Sequence, residues 1–152
     1  ANRALRLNSP APDNRKNLDW ALSRAQGYWG VTNYNGDTFL RRADVTAPIF
    51  DRLSQTGLGF ITDGAFDAAS LPSLAQSVRL PFKAGFGLID PSPDSVIINA
   101  RLSELSASAR SGGHPIGVGF AYPETIETVQ SWIISLNAQG LVLAPASSAL
   151  QP

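Results

Sequence analysis

The sequence predicts an α/β domain built from parallel β/α units. Short apolar runs alternate along the chain with longer segments of helical periodicity. The runs are apolar on both faces rather than alternating, and most helical segments open on a capping residue and close near a glycine. Strands buried on both faces need helices above and below them, which requires a parallel sheet with right-handed crossovers. An open doubly wound sheet and part of a (β/α) barrel both satisfy this order.

Residues 1–12 contain two prolines and an Asn-Ser-Pro turn signal, so they read as an extended arm, with 13–152 as a single α/β domain. Asp13 is placed to cap a helix over about 14–26, where Leu18, Ala21, Leu22 and Ala25 share a face and Gly27 suits a left-handed stop. Tyr28–Thr32 is aromatic and β-branched, hence a strand with Trp29 in the core, and 33–37 is a polar turn. Asp44 caps a second helix striped by Val45, Ile49, Phe50 and Leu53, with Pro48 tolerated near its first turn and Gly57 beyond its end. Leu58–Thr62 is the next strand, closed by Asp63 and Gly64.

A shorter helix is expected over about 70–79, followed by one strand over 81–89 that two glycines loosen. Ser92-Pro93-Asp94 is the strongest helix start in the chain, combining a cap, a proline at the first position and an acid favoured by the helix dipole. That helix places Ile98, Leu102, Leu105 and Ala109 on one face and stops at Gly112 and Gly113. Pro115–Phe120 supplies a strand, and a helix over about 123–139 follows with Ile126, Val129, Ile133 and Leu136 inward. Leu141–Ala144 is the last predicted strand, with one more helical turn at 147–150. The chain opens on an arm and a helix rather than a strand, so one sheet edge is expected to need a partner.

Composition bounds the function. Twelve lysines and arginines balance twelve aspartates and glutamates, which removes the electrostatic case for nucleic acid or an anionic membrane. Cysteine is absent, and with it disulfides, thiolate nucleophiles and zinc-thiolate sites. No apolar run is long enough to span a bilayer, and the first seven residues lack the apolar core of a signal peptide.

Ligands gather at the carboxyl ends of strands in such folds. Asn33, Asn35 and Asp37, then Asp63, Asp90 and Glu124, each follow a predicted strand. As single residues they are ordinary turn formers and caps; converging, they would line a polar pocket. Asp63 and Asp90 are the strongest candidates, because each directly ends an apolar strand. His114, the only histidine, lies at the amino end of its strand and reads as a loop residue. No G-x-S-x-G elbow occurs, and the third glycine of a dinucleotide loop starting at Gly117 would fall on Tyr122.

In order, Gly30-Val-Thr-Asn-Tyr-Asn-Gly36, Gly57-Leu-Gly-Phe-Ile-Thr-Asp-Gly64, Leu80-Pro-Phe82, Leu88-Ile-Asp90, Ile116-Gly-Val-Gly-Phe-Ala-Tyr-Pro123 and Gly140-Leu-Val-Leu-Ala-Pro145 resemble the divergent polysaccharide deacetylase family. The resemblance covers about residues 5–150 and only the C-terminal part of the family's domain; the upstream paired-aspartate motif is not in this chain. It implies part of a distorted (β/α) barrel, a bacterial extracytoplasmic setting, a glycan partner and a divalent metal that activates water against an N-acetyl group.

The departures bear on that chemistry. Many members carry histidine where this chain has Tyr34 and Phe120, and the family's strand-ending Leu-Asp reads Ile61-Thr62 with Asp63 one place later. Tyrosine and phenylalanine do not replace neutral imidazole as a nitrogen ligand. The expectation is therefore a catalytically degenerate member, without evident metal ligands, that takes part in the metabolism or recognition of a cell-envelope glycan as a binding or scaffolding domain. Asn33, Tyr34, Asn35, Asp37, Asp63, Asp90, Phe120 and Tyr122 are its candidate ligand contacts. A second reading is an interaction domain without a small ligand, whose fold is completed by an upstream segment or a second chain.

Overall fold

A computed structural model describes residues 3–67 and 69–150. The chain divides into two compact units. One takes the residues up to Thr62, then Phe66–Lys83 and Leu150; the other takes Asp63–Ala65 and Ala84–Ala149.

The first unit holds α1 (Ala11–Leu22), β1 (Gly30–Thr32), α2 (Asp37–Leu40), α3 (Ala43–Gln55), β2 (Gly59–Ile61), α4 (Leu71–Ser77) and β3 (Phe82–Lys83). Its strands form a parallel sheet in the order β1-β2-β3, with Val31 beside Phe60 and Phe60 beside Phe82. β2 is central and buried throughout, as its run of apolar residues requires. Ile49, Phe50 and Leu53 of α3 pack onto it with Leu18, Leu71 and Ala75, and the Phe50 and Phe60 rings meet at 5.1 Å. The buried Thr46 hydroxyl donates to the Phe39 carbonyl at 2.9 Å, closing the corner between α2 and α3.

Several boundaries differ from expectation for local reasons. α1 starts at Ala11 behind Pro10, with Asp13 in its first turn rather than at its cap. It ends at Leu22, whose carbonyl accepts the Tyr28 phenol at 2.7 Å, so the helix does not reach Gly27. The segment ahead of α1 is tied down by the buried Asn14. Its side chain accepts from the Arg6 N–H at 2.9 Å and donates to the Arg6 carbonyl at 2.8 Å, and Leu5 and Leu7 pack against the core. Asp44 does not cap α3; Arg42 holds the cap position and draws the Asp44 carboxylate into an ion pair. Pro48 stands past the first turn, inside α3. Trp29 precedes β1 and is 44% exposed, so it is not a core residue.

The second unit holds β4 (Gly87–Leu88), α5 (Ser95–Arg110), β5 (Gly117–Val118) and α6 (Pro123–Leu136), followed by 3-10 turns at Asn137–Gln139 and Ala146–Ala149. β4 and β5 pair in parallel, Gly87 beside Gly117 and Leu88 beside Val118. The expected single strand over 81–89 is two strands in two sheets. Its backbone changes partner within a few residues, because Lys83 accepts from the Thr62 N–H whereas the Phe86 N–H donates to Ile116. Gly64 lies against β4 at φ +71°, and a Cβ there would come within 2.7 Å of the Gly87 Cα; only glycine fits.

Asp94, not Ser92, caps α5, accepting from the Val96 N–H at 2.8 Å. The α5 stripe of Ile98, Leu102 and Leu105 is buried as expected, with Ala109 half-buried. The inward face of α6 differs in part from expectation: Leu136 is buried and Val129 half-buried as expected, but Thr125 and Thr128 are buried while Ile126 and Ile133 face solvent. The hydrogen bond of Thr125, described below, accounts for a polar side chain on that inward face. Leu141–Ala144 forms no strand among the described residues, and Val142 is 86% exposed. Neither sheet closes on itself, so the parallel units stand without a complete barrel.

Candidate functional site

Ile89 follows β4 and donates its N–H to the Val118 carbonyl at 2.9 Å, which sets the end of β4 beside the end of β5. Asp90 comes next and is 1% exposed. Its Oδ2 accepts the Phe120 N–H at 2.8 Å and the Thr125 hydroxyl at 2.8 Å. Pro123 opens α6, so Thr125 lies in the first turn, where unpaired amides and the helix dipole favour a negative group. The close approach requires Gly119, since a Cβ there would stand 2.9 Å from the Ile89 Cγ1 and 3.2 Å from Asp90 Oδ2. Asp90 Oδ1 is buried and has no hydrogen-bond partner among the described residues.

Asp63 is also buried, and its Oδ1 accepts the Ala65 N–H at 3.0 Å across Gly64, the geometry of an Asx turn. The Phe120 and Tyr122 rings stand 5.9 Å apart, inclined at 52°, and each residue is 41% exposed. They form a small aromatic surface directly after β5. Glu124 is exposed in the first turn of α6.

Asn33, Tyr34, Asn35 and Asp37 belong to the first unit, whereas Asp63, Asp90, Phe120 and Tyr122 belong to the second. In the 33–37 turn, the Asn33 amide donates to the Asn35 carbonyl at 3.1 Å, Asn35 takes a left-handed φ of +56°, and Tyr34 is 81% exposed. Asp37 is exposed at the start of α2. His114 is an exposed loop residue ahead of β5.

Sequence reasoning missed Thr125 and Gly119 as members of the site. Their signal was present in Gly-Phe-Ala-Tyr-Pro-Glu-Thr: a hydroxyl two residues past a helix-opening proline is placed to meet an acceptor from a neighbouring strand end. The residues present offer no evident metal cage. Among the described residues no three His, Cys, Asp or Glu gather, and the spare oxygen of Asp90 is sealed from solvent.

Parallel β/α units, with a buried carboxylate joining two adjacent strand ends, define an α/β domain. The chain belongs to the divergent polysaccharide deacetylase family, whose sequence model matches residues 1–150. Among solved structures it is similar to an uncharacterised protein, ATU2773, of Agrobacterium tumefaciens C58, with a TM-score of 0.92 and 26% identity. That match covers 97% of this chain and 60% of the other, so the chain spans 60% of that protein's length. No curated protein matches it. No helix among the described residues is long and apolar enough to cross a membrane.

Proposed function

We propose that this chain recognises a bacterial envelope polysaccharide outside the cytoplasm and is a catalytically degenerate member of its family. The observation that carries the reading is the state of Asp90: one oxygen is committed to the Phe120 N–H and Thr125, and the other is shut away from solvent. A carboxylate held in this way fastens two strand ends and a helix together rather than receiving a proton from a reacting group. Beside it, Phe120 and Tyr122 offer exposed aromatic faces, the kind of surface on which the apolar face of a sugar ring stacks.

The test is a deacetylase assay on N-acetylated oligosaccharides with added divalent metals, metal analysis by mass spectrometry, and titration with the same oligosaccharides. Saturable binding that Phe120→Ala weakens, without turnover or stoichiometric metal, is expected. Turnover by this chain would overturn the degenerate reading, and absence of any glycan binding would overturn the recognition reading.

The second reading is an interaction domain whose sheet is completed by another segment or chain. Leu141–Ala144, of strand composition but in no strand among the described residues, with Val142 and Leu143 exposed, favours it. Native mass spectrometry with the polypeptide encoded immediately upstream tests it, a stoichiometric complex being expected.

A further inference from the structure

A groove of about 330 Å³ runs between α5 and α6, away from the end of β4 and its Asp90. Its volume falls at the lower end of the roughly 300–1,000 Å³ that small-molecule sites occupy. Arg110, in the last turn of α5, supplies its cation. The Arg110 guanidinium donates to the neutral Gln139 amide oxygen at 2.8 Å, and among the described residues neither an ion pair nor a lining carboxylate balances its charge. A guanidinium has five N–H donors, so several stay available to a ligand.

The serines along the groove present the opposite chemistry. The Ser103 and Ser131 hydroxyls donate back to their own helices, at 2.8 Å to Asn99 and 3.1 Å to Glu127. Ser135 donates to Trp132 at 2.7 Å and accepts from the Gln139 amide at 3.0 Å. Ser106 accepts the Trp132 indole N–H at 2.9 Å, which fixes the half-buried ring in the wall. The hydroxyl protons of Ser103, Ser131 and Ser135 are therefore engaged, which leaves lone pairs on the Ser103 and Ser131 oxygens as acceptors in the groove lining, while Ser135 already accepts from Gln139. One uncompensated cation beside a row of acceptors asks for a ligand carrying both a carboxylate and hydroxyl donors.

We propose that this groove binds the uronate residue of an acidic oligosaccharide, its carboxylate on Arg110 and its hydroxyls on the serine oxygens. A neutral sugar lacks the carboxylate, and acetate lacks the hydroxyls. The site goes beyond the aromatic surface at Phe120 and stands independently of it.

The test uses the indole N–H resonances of the three tryptophans, of which only Trp132 lines the groove. The isotope-labelled chain is titrated separately with a tetrasaccharide alternating glucuronate and N-acetylglucosamine, with chitotetraose, and with sodium acetate. A saturable shift of Trp132 is expected with the first alone, with Trp20 and Trp29 unmoved. Arg110→Gln, a change at an exposed position, should weaken the binding that Trp132 reports by about tenfold, whereas Arg15→Gln, at an exposed position of α1 outside the groove, should leave it unchanged. An equal response to chitotetraose or acetate, binding insensitive to Arg110→Gln, or no shift of Trp132 would each overturn the proposal. Equal weakening by Arg15→Gln would make the effect one of net charge and overturn it as well.

Discussion

Thr125 donates its hydroxyl to Asp90 at 2.8 Å across thirty-five residues of sequence, and both side chains are buried. The bond ties the first turn of α6 to the end of β4 and gives the buried threonine hydroxyl its acceptor. Thr125→Val keeps the shape and removes one hydrogen bond to a charged acceptor, a change of about 1.5–3 kcal/mol. Chemical denaturation should show that loss, and Thr125→Ser should recover most of it.

Asn14 works as a clamp on the segment ahead of α1 through its paired hydrogen bonds to Arg6. Asn14→Ala leaves a partly buried N–H and carbonyl without those partners, so a loss of about 1–3 kcal/mol is expected. Hydrogen exchange at the Arg6 amide should speed up in the variant, while amides of β2 follow only the global change in stability.

Gly64→Ala places a methyl group against the backbone at Gly85 and Gly87 from a left-handed φ of +71°. Strain and collision act together, and a loss of at least about 1–3 kcal/mol is expected by thermal or denaturant unfolding. Gly27→Ala gives the comparison: its φ is +78° but nothing lies near its Cβ direction, so only the backbone term should appear.

The hydrogen bond from Arg42 holds the Asp44 carboxyl below its ordinary value, and Arg42 is raised in turn. A depressed carboxylate stabilises the fold above its unfolded value, and that contribution disappears as pH falls through the folded value. Both groups are fully exposed, so screening leaves the pair little weight in overall stability. Arg42→Gln should move the NMR titration of Asp44 upward toward the ordinary range while the unfolding midpoint at neutral pH hardly changes.

Much of the architecture was legible in the sequence where local and tertiary demands agree. The α3 stripe of Ile49, Phe50 and Leu53, the wholly apolar β2 and the α5 stripe of Ile98, Leu102 and Leu105 all occupy the core. The misses occur where a distant partner decides. Periodicity in α6 favoured Ile126 and Ile133, but Asp90 selects Thr125. Leu141–Ala144 has strand composition, yet a strand exists only with a neighbour to complete its ladder. The break between Lys83 and Gly87 comes from a change of hydrogen-bond partner that composition does not encode. At the candidate site, Asp90 could be named from its position after a strand; the role of Phe120 could not, because its N–H rather than its ring meets the carboxylate.

The bared Val142 and Leu143 also govern how the molecule behaves in concentrated solution. The balance of acidic and basic side chains puts the isoelectric point, from composition, at about 6.8, so near neutral pH little net charge repulsion holds these apolar side chains apart. Solubility should pass through a minimum there and improve about two pH units to either side.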